Sequence, residues 1–383
     1  MKDRNRAIFR LTVLVAAALA LVFLSCRPAW SPDGKRLLFH MSTGPEKVGV
    51  AIYERDTGTV RRLAGIPADQ KVAALAWSAD SRTALALATD DQKNVLHVIA
   101  ITVDEDVGIA GQEGAQAAVR TFDVPVAGDR FLTFTIPPVV VGERLFLATG
   151  GITRLDLTSG EIATVAPPAG HLLAISRRGD GLCYLSLPEK NAQPDWEFGT
   201  LDPETLVRTP LVTAPKDCEW LPIPTPSFTP SLDRIVMPAR RAAESEGKAQ
   251  ALLVIRNGEI ETSLPLGADR LVGFNSVEWA QDGVTLLATV CRHDEEHGTW
   301  QFALLETTFS GSVARETEIL TIPVGKDQDA PSFAFQMALS PDGEVAAFST
   351  AMFDRVPPEQ AGLYLVDLTD KARKVRRVPF PEK

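Results

Sequence analysis

The sequence predicts an all-β protein built as a ring of seven four-stranded antiparallel units, that is, a seven-bladed β-propeller. Two repeated patterns predict this fold. A tight turn of the type Ser-Pro-Asp-Gly between two apolar strands recurs along the chain, and each copy is followed by a second strand–turn–strand pattern. A chain of 383 residues, 45% hydrophobic and 23% charged, is long enough to bury the core of such a ring.

The first copy of the turn lies in AWSPDGKRLLF, residues 29–39. Ser31 can bond to the backbone of the turn, Pro32 presets its own φ angle, and Gly34 accepts a positive φ. Asp33 tolerates the bridge region of backbone space between them. A turn of this kind joins two antiparallel strands.

Further copies of the turn follow along the chain, in LAWSADSRTALAL, LAISRRGDGLCYLS, SFTPSLDRIVMPA, VEWAQDGVTLLATV and MALSPDGEVAAFST. They recur about every fifty residues, apart from one interval twice as long, in which PPVVVGERLFLATG supplies a degenerate seventh copy. The turn residues predicted by the repeat are Asp33, Gly34, Asp80, Asp180, Asp233, Asp282, Gly283, Asp342 and Gly343.

The second pattern is an apolar strand, a turn and a further strand, as in VAIYERDTGTVRRLAG, ITRLDLTSGEIATV and LYLVDLTDKARKVRRV. In the second repeat the corresponding turn carries a Gly/Ala-rich insertion. Each repeat therefore contains four strands in roughly fifty residues, which is typical of a propeller blade.

The Ser-Pro-Asp-Gly hairpin followed by a strand such as LYLVDLT resembles the repeat of the TolB-like, WD-like propeller family, over almost everything after Cys26. The resemblance implies a propeller and leaves the ligand open. TolB itself carries a separate α/β domain before a six-bladed propeller, whereas here the first repeat starts at once. We therefore expect seven blades, with six as the alternative, and no assignment to the Tol system follows.

The positions of the first and last repeats predict how the ring closes. The first repeat begins near Arg27 and the last ends near Pro379, so each blade keeps its own four strands and none is exchanged. Closure then rests on apolar packing between the first and last blades, in which we expect Trp30 and residues 363–366 to take part. We call the interface between the first and last blades the seam. Because no strand is exchanged across it, the seam is expected to be the weakest blade interface of the ring.

A short apolar segment precedes the first repeat. The charged residues among residues 1–10 are mostly basic. Residues 11–24 form an uncharged apolar run, which is shorter than the about 20 residues that a membrane-spanning helix needs. This pattern fits a signal peptide. Phe23-Leu24-Ser25-Cys26 resembles a bacterial lipoprotein signal, which implies cleavage before Cys26 and lipid on its thiol. Two or three acyl chains give stable anchoring. An uncleaved signal anchor is the alternative.

The expected organisation is a signal peptide at 1–25 and a propeller at 26–383, held in the cell envelope by lipid. In a Gram-negative host, Arg27 replaces the aspartate associated with inner-membrane retention, which favours the outer membrane and leaves the inner one open. The net charge of −10 becomes more negative once residues 1–25 are removed, so anionic lipid headgroups repel the propeller. We therefore expect the attached lipid, and not the propeller surface, to contact the membrane. Because no basic stripe is present, we expect no nucleic-acid partner.

The longer loops are predicted on the face of the ring opposite the Ser-Pro-Asp-Gly turns. Aromatic and arginine side chains in or beside them suit contacts with a protein or a cell-wall glycan. The candidates are Trp196, Trp220, Arg240, Arg241, Phe353 and Arg355. For the two tryptophans, packing between blades is the competing interpretation.

The segment CRHDEEHG is the best candidate for chemistry. His293 and His297, with acidic residues between them, could bind a divalent metal, although a hairpin loop does not force the two rings to converge and a solvated polar loop is the competing interpretation. No other cofactor is expected, because the chain shows no nucleophile elbow, phosphate loop or Cys-x-x-Cys motif.

Three cysteines follow Cys26. An oxidising compartment allows one disulfide between Cys183 and Cys218, and buried thiols, including Cys291, are the alternative.

The function predicted from all these features is a binding or assembly module. A propeller enzyme, a lyase or hydrolase with its site in the channel mouth, is the alternative.

Overall fold

The computed structural model shows a ring of seven antiparallel β-sheets. It describes residues 27–44, 47–67, 70–90, 94–103, 118–126, 137–149, 151–165, 171–178, 181–187, 197–213, 218–220, 227–229, 231–241, 250–257, 259–267, 270–294, 297–310, 313–323, 336–350 and 356–380. Within these ranges one short 3-10 helix occurs, Pro358–Gln360. The described residues include no helix that is long and apolar enough to cross a bilayer.

The first four blades contain sixteen of the strands. Blade one has β1 (Ala29–Trp30), β2 (Arg36–Gly44), β3 (Lys47–Glu54) and β4 (Val60–Arg62). Blade two has β5 (Lys71–Trp77), β6 (Thr83–Asp90), β7 (Val95–Thr102) and β8 (Val119–Pro125). Blade three has β9 (Val139–Val141), β10 (Arg144–Ala148), β11 (Ile152–Asp156) and β12 (Ile162–Val165). Blade four has β13 (His171–Arg178), β14 (Gly181–Leu187), β15 (Glu197–Leu201) and β16 (Arg208–Thr213).

The last three blades follow the same plan. Blade five has β17 (Cys218–Trp220), β18 (Ser227–Phe228), β19 (Arg234–Arg241), β20 (Gln250–Arg256) and β21 (Glu259–Gly267). Blade six has β22 (Arg270–Trp279), β23 (Thr285–Asp294), β24 (Thr299–Ser310) and β25 (Val313–Pro323). Blade seven has β26 (Met337–Leu339), β27 (Val345–Ser349), β28 (Leu363–Asp367) and β29 (Val375–Val378).

The strands of each blade pair in chain order. In blade five the first strand is in two pieces, because β17 and β18 both pair with β19. Strands β1–β4 and β26–β29 form two separate sheets, so the prediction of seven blades closed without an exchanged strand is confirmed and the six-bladed alternative is wrong.

The first strand of each blade lies innermost. Strand β1 contacts both β5 and β26, and β22 contacts both β18 and β26, so first strands meet first strands around the centre. The first strands therefore line a central channel, and the fourth strands form the outer rim. We call the side with the turns between first and second strands the turn face, and the opposite side the loop face.

The core consists of seven clusters of buried apolar side chains, one between each pair of adjacent blades. The cluster at the seam joins blade one to Ala347, Leu363 and Leu365 of blade seven, with Trp30 packed against it. Tyr364 and Val366 face the other way, into the cluster shared with blade six. Successive strand residues point to opposite faces, so the predicted role of 363–366 in the seam is confirmed for alternate residues.

The repeated turns are held by a serine–aspartate pair. The Ser31 hydroxyl donates to the Asp33 carboxylate (2.6 Å) and accepts from the amide of Arg36 (2.9 Å). Ser78 bonds to Asp80 (2.6 Å) and Ser340 to Asp342 (2.5 Å) in the same way. The residue after the turn aspartate takes a positive φ: 70° at Gly34, 63° at Ser81, 67° at Gly283 and 72° at Gly343. This is the conformation that glycine adopts without steric cost.

The turn of blade five departs from the predicted alignment. Leu232 takes the positive φ (61°), so Ser231 occupies the place of Asp33 and Asp233 comes two residues later. Asp233 still supports the turn, because its carboxylate accepts from the hydroxyls of Thr229 (2.8 Å) and Ser231. Asp180, the acid predicted for blade four, lies outside the described residues.

Candidate functional site in the central channel

Polar groups from four blades join in the central channel. Arg27, at the start of blade one, forms an ion pair with Glu278 of β22 and donates from Nε to the carbonyl oxygen of Met337 in β26 (3.0 Å). The hydroxyl of Ser227 in β18 donates to the other carboxylate oxygen of Glu278 (3.4 Å) and accepts from the amide of Trp279 (3.0 Å). Ser227, Glu278 and Met337 belong to innermost strands, and Arg27 stands two residues before β1, so these contacts lie on the channel side of the blades.

The ion pair between Arg27 and Glu278 is partly buried, unlike an ion pair on the protein surface. The side chains of Arg27 and Glu278 are 27% and 16% exposed, so both charges have lost much of their water. Removal of one charge would leave the other partly buried without its counterion, which is the costly case for a buried pair. The bonds therefore hold the first described residue of the chain inside the ring.

Sequence reasoning missed this site. In the sequence, Arg27 is the residue after Cys26 at the start of the first repeat, and Glu278 is part of the motif VEWAQDG; neither position predicts their contact. Only closure of the ring brings them together, since 251 positions separate them along the chain. Cys26, the predicted lipidation site, lies outside the described residues.

A second feature missed from the sequence is a set of arginines that cross the blade interfaces on the turn face. Arg36 donates to the carbonyl oxygen of Ser81 in blade two (2.6 Å), and Arg55 pairs with Asp342 across the seam (2.5 Å). Further crossings of the blade interfaces are Arg120 to Thr158, Arg144 and Arg154 to Glu204, Arg234 to Gly283 and Arg373 to Glu306. These contacts brace the ring along its turn face.

The aspartates of the repeated turns are held in the ionised state. For Asp33, partial burial by itself raises the carboxyl pKa, but the bonds from Ser31 and the Lys35 amide and the charge of Arg36 outweigh it and leave the pKa below its usual value. The pKa of Asp342 is lowered in the same sense, against its burial, by Ser340 and Arg55. The turn residues therefore stabilise hairpins, and this role accounts for their recurrence in the repeat.

A small cavity of about 140 Å³ lies between blades six and seven on the turn face. Gln281, Asp282, Glu306 and Arg373 supply its polar lining. The Glu306 carboxylate accepts from Arg373 Nε (2.6 Å), and the Asp282 carboxylate accepts from the Thr285 hydroxyl (2.6 Å). The charges in this cavity are thus already paired, Arg373 with Glu306 across the interface and Asp282 within the hairpin of its own blade.

The two histidines proposed for a metal lie on one long hairpin of blade six, at the loop face. The His293 ring packs edge-on against Trp300 (5.1 Å between centroids), its cross-strand partner. The Nδ1 of His297 lies 2.9 Å from the Asp294 carboxylate, which also accepts from the amide of Gln301 (2.7 Å). Glu295 and Glu296 lie outside the described residues, and the rest of the described chain contains no group of three side chains placed to hold a metal ion.

The candidates for the binding face are only partly described. Trp220 ends β17, and in the pairing of β17 with β19 Arg240 lies opposite Glu219 and Arg241 opposite Cys218. These three candidates therefore share the channel-side part of blade five. Trp196, Phe353 and Arg355 lie outside the described residues.

Two of the three remaining cysteines are described as thiols. Cys183 and Cys291 are both buried. The burial of this pair agrees with the alternative of buried thiols, and the bridge from Cys183 to Cys218 stays a prediction, because the side chain of Cys218 lies outside the described part of the chain. Burial raises the pKa of the Cys291 thiol to about 12, so it stays protonated.

His40 is the one fully buried histidine of the described chain, at 1% exposure. It stands on β2, and its ring bonds to the backbone of Val72 in blade two. Its Nδ1 has no hydrogen-bond partner among the described residues. Burial lowers the pKa of His40 to about 4, against the opposing effect of the Val72 bond, so the ring is neutral at physiological pH.

Comparison with solved structures agrees with the topology described above. The β-propeller domain of the Trilobed protease from Pyrococcus furiosus, described as having an open velcro topology, is 11% identical, with 92% of this chain and 96% of that chain covered and a TM-score of 0.50. The fold is a seven-bladed β-propeller.

Two further structures are similar to this propeller. Kuenenia stuttgartiensis hydrazine synthase is 13% identical, with 93% and 96% of the two chains covered and a TM-score of 0.52. TolB from Acinetobacter baumannii is 14% identical, with 60% of this chain and 51% of that chain covered and a TM-score of 0.40. At these identities the similarity concerns the fold alone. No protein-family model and no curated protein matches the sequence.

Proposed function

We propose that this protein is a lipid-anchored propeller of the cell envelope that binds a protein or a cell-wall glycan, as an assembly module. One observation carries the proposal: Arg27, the residue directly after Cys26, is bonded inside the ring to Glu278 and Met337. A lipid on Cys26 would therefore hold the whole ring at a membrane without an intervening linker. The braced interfaces supply a rigid surface, which lowers the entropic cost of binding a partner.

Lipidation is tested by Cys26→Ala, with Cys218→Ala as the matched control. We expect Cys26→Ala to lose incorporation of labelled fatty acid and to leave the membrane fraction or accumulate as a slower-migrating precursor. The control should remain anchored and labelled. Membrane retention of Cys26→Ala at the wild-type size would overturn lipidation.

Binding is tested separately for the two partner classes. Cosedimentation of the purified protein with isolated cell-wall sacculi tests the glycan, and crosslinking in intact cells tests a protein partner. Trp220→Ala at the loop face and Lys35→Ala at the turn face then locate the surface used. A wild-type protein that neither cosediments nor crosslinks to a defined stoichiometric partner would overturn the binding role.

One observation favours the enzymatic alternative. The contact between His297 Nδ1 and Asp294 orients an imidazole that is itself 65% exposed, as in pairs that act as general bases. If cell-wall polysaccharide is cleaved, the activity should be lost in His297→Ala and kept in His97→Ala, which changes the other aspartate-paired histidine. Equal activity in both variants would exclude a role for His297.

A further inference from the structure

The outer strands of the two blades at the seam carry the same short sequence. Residues 60–62 in β4 and residues 375–377 in β29 both read Val-Arg-Arg, and both doublets pair in the same register with the third strand of their own blade. The other five fourth strands, over their described residues, contain no pair of adjacent arginines. We propose that this arginine rim binds the phosphate groups of an anionic cell-wall glycan. The proposal rests on the glycan partner of the proposed function and is independent of the anchor.

The two doublets face each other across the seam. Successive residues of a strand point to opposite faces of the sheet, so each doublet directs one arginine to each side of its blade. Arg376 points toward blade one, where its guanidinium lies 5.3 Å from the ring centroid of Tyr53. Arg62 lies opposite Ala51, which belongs to the seam cluster, so it points toward blade seven. An arginine from each blade therefore flanks the outer side of the seam.

Three of the four arginines are exposed and lack a carboxylate partner. Arg61 pairs with Glu54 (2.6 Å), whereas Arg62, Arg376 and Arg377 form no ion pair within the described ranges. The Nη1 of Arg377 donates to a backbone carbonyl oxygen of its own blade (3.0 Å), which positions the side chain without neutralising its charge. The arginines of the turn face, in contrast, brace the blade interfaces. The charge of the arginine rim thus remains available to an anionic partner.

The charge of the rest of the protein directs an anion to this rim. The chain has a net charge of −10, and the repeated turns hold Asp33 and Asp342 in the ionised state on the turn face. An anionic polymer is repelled by such a surface and attracted by unpaired cations. The arginine rim is therefore the part of the described surface where a polymer of this kind gains most.

The residue type favours phosphate as the group that is bound. A guanidinium is planar and always charged, and it donates two parallel N–H bonds to two oxygens of one phosphate. The three unpaired arginines lie on two neighbouring blades, so a polymer with repeated phosphate groups can contact them in turn. They are confined to two short strands, which is less than the basic stripe that a nucleic-acid duplex needs. A phosphate-bearing glycan fits both the chemistry and the extent of the arginine rim.

Binding is measured on the purified full chain with inorganic polyphosphate as the probe. Polyglutamate and a DNA duplex are the comparison polyanions. We expect polyphosphate to bind, and three phosphate contacts should make its binding roughly 20-fold weaker at about 200 mM than at about 50 mM salt. Polyglutamate and the duplex should bind more weakly than polyphosphate. Equal binding of polyglutamate, or tighter binding of the duplex, would overturn the assignment to a phosphate-bearing glycan.

The double variant Arg376→Glu with Arg377→Glu tests whether the arginine rim is the site. Its affinity for polyphosphate should fall by roughly tenfold or more, because two contacts are lost and two repulsions are added. The matched control is Arg82→Glu with Arg315→Glu, which makes the same change of charge at exposed arginines of the turn face and of blade six, and it should bind as the wild type does. Thermal unfolding verifies that the ring is intact, and Arg376→Gln with Arg377→Gln replaces the first variant if that one unfolds. Unchanged affinity in a folded variant would overturn the site.

Cell-wall sacculi distinguish this proposal from the proposed function. Cosedimentation is measured before and after the phosphodiesters of the sacculi are cleaved with cold hydrofluoric acid. We expect the wild type to cosediment with untreated sacculi and to lose this binding after the treatment. Binding that survives removal of phosphate would overturn the phosphate site and leave the glycan partner in place. Failure to bind untreated sacculi, together with the absence of a crosslinked protein partner, would instead overturn the proposed function.

Discussion

The indole N–H of Trp30 in the first blade donates to the carbonyl oxygen of Ala338 in the last (3.3 Å). Trp77 makes the same bond one blade further on, to the carbonyl oxygen of Ala29 (2.9 Å). The seam of the ring thus repeats a contact found between consecutive blades. The hydroxyl of Ser349 adds a buried bond across the seam, to the carbonyl oxygen of His40 (2.7 Å).

Replacement of Trp30 by phenylalanine tests this contact. Trp30→Phe keeps an aromatic ring and removes the donor, so we expect a loss of about 1 kcal/mol in the free energy of unfolding. Trp77→Phe is the matched control and should cost a similar amount. Urea denaturation measures both. A neutral Trp30→Phe beside a costly Trp77→Phe would show that the seam does not use the bond.

Substitution of Arg55 tests whether the seam is the weakest blade interface, as expected for a ring without an exchanged strand. It pairs with Asp342 (2.5 Å) and Glu344 (2.8 Å), and all three side chains are partly exposed, so Arg55→Ala should cost no more than about 1 kcal/mol. Hydrogen exchange should nevertheless accelerate in β2 and β27. The control Arg144→Ala, which breaks a pair with Glu204 between blades three and four, should leave those strands unchanged. Equal exchange at the seam in both variants would contradict this prediction.

His40 predicts a specific dependence of stability on pH. Its pKa is about 4 in the folded state and near 6.5 when exposed, so between these values the unfolded chain binds the extra proton. The free energy of unfolding should therefore fall as the pH drops from 6.5 toward 4, by on the order of 3 kcal/mol, and be flat with respect to this group above 6.5. His40→Gln should flatten that decline. A decline of equal size in wild type and His40→Gln would show that other groups cause it.

Substitution of a turn aspartate by alanine or asparagine separates the contribution of its charge to stability from that of its hydrogen bonds. Asp80 accepts from the Ser78 hydroxyl (2.6 Å) and the Arg82 amide (2.9 Å). Asp80→Ala should lose about 1 kcal/mol of stability, and Asp80→Asn less, because the amide oxygen keeps both bonds. Asp56→Ala, on an exposed turn of blade one, should be neutral. Equal losses in the Ala and Asn variants would assign the effect to the charge alone.

The metal hypothesis for the blade-six hairpin is tested by metal analysis of protein purified at neutral pH. We expect no stoichiometric divalent ion, because the His293 ring packs on Trp300 and His297 pairs with Asp294. A stoichiometric ion in the wild type that disappears in the double variant His293→Ala with His297→Ala would contradict this expectation.

The two repeated sequence patterns determined the fold class and the number of blades. Those features are local: Ser31, Asp33 and Gly34 select a hairpin through bonds within a few residues, and alternation of apolar side chains selects the faces of each strand. The same locality explains the error in blade five, where Leu232 takes the positive φ expected of glycine, so that the turn ends before Asp233.

Only the tertiary structure decided what meets in the channel and across the interfaces. Arg27 and Glu278, or Arg55 and Asp342, are far apart in the chain, and neither pair has a spacing that sequence periodicity could reveal. Their meeting depends on closure of the whole ring, which places the first strands around one axis and sets the height of each strand along it. An ion pair needs its two charged atoms within a few ångströms of each other, and in a ring of repeats that separation is determined by every blade between them.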